Sequence, residues 1–206
     1  THGTHGTHGT HGTHSSSSKR TRPGRVGVVC LRYSPAGDVL AVACRDNLIH
    51  LLSVENGFKK VGLCRGHNSF VTHMDFSEDG RVLQSNDSLR DILFFDVMAG
   101  GKHIPRAGRI RDVKWATWTC AYGWPCQGLF DDGRESDSGE INAVSRTRAG
   151  DAIVCGSSST LSGALKLYRF PCLPHATPRY FSGHISPVLD VTFLDNDSYV
   201  VSAGGN

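Results

Sequence analysis

The chain has 206 residues, 38% of them apolar and 20% charged, and no apolar run approaches the roughly 20 residues needed to cross a bilayer as a helix. Residues Thr1–Arg20 lack the apolar h-region of a secretory leader, so neither a membrane span nor a signal peptide is expected. The formal charge of +3 sits in Lys19, Arg20, Arg22 and Arg25, since no acidic residue precedes Asp38 and the rest of the chain is near neutral, which leaves no electrostatic footprint for nucleic acid.

The first 18 residues repeat Thr-His-Gly and end in four serines. Such a composition buries too little apolar area to offset chain entropy, and residues 1–25 are expected to form a disordered, Ser-rich and basic tail. His2, His5, His8, His11 and His14 recur every third residue, but nothing fixes ligand geometry around them, and no metal or cofactor site is read here. The seven cysteines, Cys30, Cys44, Cys64, Cys120, Cys126, Cys155 and Cys172, form no CxxC pair. Cys30, Cys44 and Cys155 stand within apolar runs, where a thiol acts as a small hydrophobe. This is the usage of an intracellular protein.

From residue 26 the sequence alternates short apolar runs with polar, Gly-containing turns, the pattern of antiparallel strands. Val39–Ala43 and Leu48–Leu52 are predicted strands around a turn holding Asp46. Pro35 and Gly37 mark the turn before them. Next comes a Gly-His pair, Gly66-His67, followed by predicted strands Val71–Phe76, Val82–Ser85 and Ile92–Phe95 and closed by Asp96. The turns here are Ser77–Gly80 and Asn86–Ser88. A shift of 43 residues lays Tyr33–Gly37 on Phe76–Gly80 and Leu48–Leu52 on Asp91–Phe95. A third copy runs from Ile141–Val144 through the turn Arg148-Ala149-Gly150 to Ala164–Tyr168. A fourth opens at Gly183-His184, passes through Val188–Phe193 and reaches Ser202–Asn206.

A period near 43 with Gly-His openings resembles the WD40 β-propeller, whose four-stranded blades repeat at about 40–45 residues. The expected fold is all-β: a propeller fragment of about four blades, at about 26–58, 59–104, 105–172 and 173–206, the last incomplete. In that family a Gly-His histidine, a Ser/Thr, an Asp and a Trp form a hydrogen-bonded group that pins each blade. The resemblance implies that Asp46, His67, Ser85, Asp96, His184 and Ser202 are structural members of such groups. Leu89 falls at the Asp position of the second blade, Phe95 replaces its Trp, and Asn206 falls at the Asp position of the fourth.

The third blade departs from the period. Gly80 and Gly150 are 70 residues apart, about 27 more than one repeat, and the excess contains all three tryptophans, Trp115, Trp118 and Trp124, followed by the acidic loop Asp131–Glu140. Exposed aromatic clusters mark interaction surfaces. The competing reading places Trp115 and Trp118 in the gap between blades. Asp131-Asp132-Gly133 lacks the alternating ligands of a calcium loop.

The strings RDVKWATWTC…QGLF…INAVSR, GHNSFVTHMDFSEDG and SNDS…DILFFD together resemble the echinoderm microtubule-associated protein-like family, over about residues 24–206. The resemblance implies the C-terminal propeller of a tandem pair, binding αβ-tubulin and decorating microtubules in the cytoplasm and cytoskeleton. The family's N-terminal coiled coil and hydrophobic motif have no counterpart in these residues. Partner contacts are expected on rim loops, at Asn68, Ser69 and Phe70 after the Gly-His pair, at Arg90, and at Trp118, Tyr122 and Trp124. A general scaffold for kinases or other signalling proteins, with no tubulin contact, is the alternative, and Ser34-Pro35, Thr177-Pro178 and Ser186-Pro187 are its candidate phosphorylation sites. No nucleophile elbow, phosphate loop or HExxH motif occurs, so no catalytic residue is predicted.

Overall fold

A computed structural model describes residues 26–105, 108, 110–131, 140–158 and 163–205. The Thr-His-Gly tail, most of the acidic loop and Asn206 lie outside the described residues. Among the described residues, fourteen strands form four antiparallel sheets. Strands β1 (Val28–Tyr33), β2 (Val39–Cys44), β3 (Ile49–Ser53) and β4 (Lys59–Cys64) pair in that order, as do β5 (Val71–Phe76), β6 (Val82–Asp87), β7 (Ile92–Asp96) and β8 (Lys102–His103). The third sheet joins β9 (Ile141–Arg146), β10 (Ala152–Ser157), β11 (Leu165–Arg169) and β12 (Arg179–Phe181), and the fourth pairs β13 (Val188–Phe193) with β14 (Val200–Gly204).

The sequence period has a local cause in the first hairpin of each of the first three sheets. Ser34 Oγ donates to Asp38 Oδ1 (2.6 Å) and accepts from the Val39 N–H (3.0 Å). Ser77 does the same with Asp79 (2.6 Å) and Val82 (2.9 Å), and Thr147 with Asp151 (2.7 Å) and Ala152 (3.0 Å). Each hydroxyl thus closes its turn twice, and Gly37, Gly80 and Gly150 follow at φ of 75°, 71° and 72°, where a Cβ is disfavoured. Ser34 is therefore buried and already bonded, so the expectation of an accessible Ser34-Pro35 phosphorylation site fails.

Two boundaries move from the sequence expectation. Lys59–Cys64, assigned to the second blade, pairs with β3 and completes the first sheet, and Arg179–Phe181, assigned to the fourth, pairs with β11. In both cases the ladder hydrogen bonds of an outer strand go to the preceding hairpin. The strand expected at Val82–Ser85 extends through Asn86 and Asp87, residues expected in a turn.

The first strands of successive sheets pack side by side, β1 on β5 and β9 on β13, around a hollow of about 760 Å³. One core lies between the first two sheets, built on Ile49, Leu51, Met74, Phe76, Leu83 and Phe95. Between β5 and β9 the regular succession breaks. Residues 110–131 wedge in there, pairing with the end of β5 through Ala116 N–H to Phe76 O (3.0 Å) and Glu78 N–H to Lys114 O (2.8 Å), and ending in a 3-10 helix at Trp124–Phe130. The second core therefore joins Trp115, Trp118, Cys126 and Leu129 to Val144, Ile153 and Tyr168. All seven cysteines are free thiols, six buried and Cys30 half-buried. Burial pushes the Cys64 thiol up to about 12 and the Cys172 thiol to about 11, which keeps them protonated and apolar.

Candidate functional site

Strand β6 reads Val-Leu-Gln-Ser-Asn-Asp, and its four polar residues are all buried, at 1% exposure or less. Buried polar groups persist where they find partners, and each of these does. Ser85 Oγ lies 2.6 Å from His67 Nε2, and Asp87 Oδ2 lies 3.2 Å from His67 Nδ1. Asp87 Oδ1 also accepts from the Leu89 and Asp91 N–H groups (3.0 and 2.9 Å). Asp87, not the residue at Leu89, therefore completes the group around His67, because the strand continues two residues further than its polarity suggests. Phe95 packs beside the His67 ring at 6.1 Å between centroids. Burial holds the His67 imidazole below its ordinary pKa, against the opposing pull of Asp87.

Asp75, on β5, is the second anchor and is fully buried. Its carboxylate accepts from Thr117 Oγ1 (2.6 Å), the Thr119 N–H (2.8 Å to Oδ2), Thr119 Oγ1 (3.1 Å), the Cys120 N–H (3.1 Å) and Gln84 Nε2 (3.2 Å). Arg32 of β1 reaches the same place, donating to Met74 O (3.2 Å) and Thr119 Oγ1 (3.3 Å). Burial alone would push the Asp75 carboxyl up, but Arg32 and these donors outweigh it and hold the group below its ordinary value. One carboxylate thus ties Thr117, Thr119 and Cys120 of the inserted segment to the second sheet, beside the backbone pairing of Ala116 with Phe76. Asn86 ties the next turn, exchanging hydrogen bonds with the Tyr122 backbone (3.0 and 3.4 Å). Gly128 ties the far end: its N–H donates to Cys172 O (2.9 Å), and a Cβ there would come within 1.9 Å of Leu173 O.

The residues expected at a partner surface divide into three groups. Asn68, Ser69, Phe70, Arg90 and Tyr122 gather where β5 begins and β6 turns into β7. Asn68 Nδ2 donates to Asp91 (3.4 Å), Ser69 Oγ meets Ser88 Oγ (2.5 Å), and Phe70 lies under the Arg45 guanidinium at 5.5 Å. Arg90 is exposed at φ 72° and pairs with Glu140 at 3.5 Å, while Tyr122 stacks on Phe130 at 5.3 Å. Trp118 is not on this surface. It is 4% exposed, donates Nε1–H to Cys120 O (2.8 Å) and meets Trp115 edge-on at 6.2 Å, because the inserted segment needs its indole to fill the gap between sheets. Trp124 is 62% exposed but belongs to a groove between the second and third sheets.

Among the residues expected to pin blades, His184 Nε2 lies 2.8 Å from Ser202 Oγ. Asp96 accepts from the Ala99 N–H (2.9 Å), closing the turn into β8, and has no bond to His67. Asp46 is exposed and accepts from the Leu48 N–H (3.2 Å). With Cys44 and His50 it forms the one cluster of mixed metal-ligating groups among the described residues, its ligand atoms within 4.8 Å of one another. Sequence reading missed Asp75 and Asp87. The signal available for Asp87 was its place at the end of a strand 20 residues after His67; for Asp75, nothing local in β5, which also carries Thr72 and His73, singles the acid out.

Four-stranded antiparallel sheets arranged side by side around a hollow, with a buried histidine–serine–aspartate group on the second, define a WD40 β-propeller fragment. A family profile described as the echinoderm microtubule-associated protein second beta-propeller matches residues 8–206, and the chain belongs to that family. It is 39% identical to echinoderm microtubule-associated protein-like 3 of Mus musculus over 179 residues, covering 85% of this chain and 19% of the relative. It is 41% identical to the 77 kDa echinoderm microtubule-associated protein of Strongylocentrotus purpuratus over 179 residues, 85% of this chain and 25% of the relative. The chain thus spans about a fifth to a quarter of the length of these relatives. Among solved structures it is similar to U3-55K, with 21% identity and a TM-score of 0.49 over 89% of this chain and 47% of that one. No helix among the described residues is long and apolar enough to cross a membrane.

Proposed function

We propose that the chain is a non-catalytic binding module of a cytoplasmic microtubule-associated protein, and that it contacts αβ-tubulin or microtubule-linked proteins through the rim formed by Asn68, Ser69, Phe70, Arg90 and Tyr122. The observation that carries this reading is the meeting of these five residues on one rim, in a chain whose relatives are named for microtubule association. The rim adjoins buried supports: the bonded pair His67 and Asp87 immediately precedes Asn68 and Ser88 in sequence, and Asn86 holds the Tyr122 backbone. A rigid platform bearing an aromatic, an arginine and small polar groups loses little conformational freedom on association.

The test is a titration of αβ-tubulin dimer against the 206-residue chain. Saturable binding is expected, weakened about tenfold by Arg90→Glu and by Asn68→Ala/Phe70→Ala, with circular dichroism unchanged. A folded chain that binds no tubulin, or variants that bind as the parent does, would overturn the reading.

A further inference from the structure

The groove between the second and third sheets is unrelated to the rim, and it has the chemistry of a peptide site. It encloses about 650 Å³, within the usual range for ligand clefts. Its walls are aromatic: Phe94, Trp115, Trp118, Trp124 and Phe170 all contribute. Trp124 is 62% exposed although it shares this wall with the buried Trp115 and Trp118.

Two further observations point to a ligand. Gln84 and Arg146 both line the groove, and each keeps one buried polar atom, Gln84 Oε1 and Arg146 Nε, with no hydrogen-bond partner among the described residues. Their other polar contacts are made: Gln84 Nε2 donates to Asp75, and Arg146 Nη2 donates to Trp115 O (2.7 Å) with its guanidinium over the Phe170 ring. An acceptor and a donor left over in one wall match the backbone N–H and C=O of one residue in an extended peptide, which point to the same side, and leaving them unmatched costs free energy. The charge on the groove is also one-sided. Arg111, Lys114, Arg146 and Arg148 line it against the single carboxylate of Glu78 among the described residues. Arg148 is paired with Asp195 at 3.0 Å, whereas Arg111 and Lys114 are exposed and make no ion pair with a described residue.

We propose that this groove binds a linear acidic peptide carrying an apolar anchor: the anchor side chain packs on Trp124 and Phe94, the backbone N–H and C=O of one extended residue meet Gln84 Oε1 and Arg146 Nε, and flanking carboxylates face Arg111 and Lys114. The proposal stands on a different surface from the tubulin reading and survives its failure.

A library of random 12-residue peptides displayed on phage, selected on the 206-residue chain, tests it. The expected survivors carry Asp and Glu on both sides of an aromatic or leucine. The leading synthetic peptide should lose about tenfold in affinity with Arg111→Glu/Lys114→Glu and with Trp124→Ala, and should bind more weakly as salt rises. Lys59→Glu/Lys60→Glu, an equal charge change on exposed β4, should leave it unaffected. Failure to enrich any sequence, enrichment of basic or neutral peptides, or an equal loss in the Lys59/Lys60 variant would overturn the proposal. All five side chains substituted, Lys59, Lys60, Arg111, Lys114 and Trp124, are exposed, so circular dichroism should report an unchanged fold.

Discussion

The second and fourth sheets begin alike and end differently. Each opens with Gly-His, and each histidine reaches a serine 18 residues on, at 2.6 Å for His67 and 2.8 Å for His184. Around His67 the contact is buried, shared with Asp87 and roofed by the β6–β7 turn. Around His184 it is half-buried, and the sheet it serves has two described strands with Leu189, Tyr199 and Val201 exposed at 57%, 68% and 52%. The local sequence supplies the same bond in both places. What the bond contributes is set by the elements that cover it, since a polar contact gains strength as water is excluded and costs more when broken there.

The largest effect should come from removing the anchor that makes the second sheet different. Asp75→Ala leaves the Thr119 and Cys120 N–H groups without their acceptor and the Arg32 guanidinium without its compensating charge, in a site with no exposure. Breaking a buried charged network costs about 3–5 kcal/mol, so chemical denaturation should shift by that amount or show no cooperative folding. Asp75→Asn, which keeps one acceptor oxygen, should recover part of the loss. If Asp75→Ala unfolds with the parent's midpoint, the inserted segment is not held by this carboxylate.

A smaller effect should separate the two histidines. His67→Ala strands Ser85 and one oxygen of Asp87 in the interior and should destabilise by about 2–3 kcal/mol. His184→Ala exposes Ser202 to water and should cost no more than about 1 kcal/mol. The ratio, measured as denaturation midpoints with a constant slope, carries the comparison: equal losses would show that burial does not set the value of the contact.

The framework of this fold was legible because it is local. The hydroxyl–carboxylate–glycine turn that repeats at Ser34, Ser77 and Thr147 is written within five residues each time, so the period could be read directly. The site was less legible, for a physical reason. Asn86 and Asp87 look like the start of a turn, and partners 36 and 20 residues away make them the end of a buried strand. Trp118 misled in the opposite direction: an aromatic in an insertion suggested a surface, but its neighbours across the gap, Trp115 and Phe170, absorb it. Trp124, six residues on, remains outside because the 3-10 helix that it starts buries Pro125 and Cys126 instead.

The smallest effect is a pH dependence confined to the enclosed side of the molecule. Burial holds the imidazoles of His67 and His73 below their ordinary value, near 6.5 in an unfolded chain. The unfolded state therefore binds more protons than the folded one as pH drops below about 6.5, and stability falls with it, reaching its limit once the folded-state values are passed. The charged groups nearest His67 are Asp87 and Asp91, with His103 opposing, and those nearest His73 are Asp75, Asp190 and Arg32. The carboxylates favour the protonated ring, so they limit the loss without reversing its sign. Asp75 adds a second, more acidic window: its carboxyl is held low in the folded state, so its contribution is present above about pH 4 and is lost as pH falls further. Thermal unfolding from pH 7.5 down to 5.5 should show a falling midpoint in the parent and a flatter slope in His73→Gln. A slope equally steep in both would place the titration elsewhere, and a midpoint that rises toward pH 5.5 would mean that the carboxylates, not burial, govern these rings.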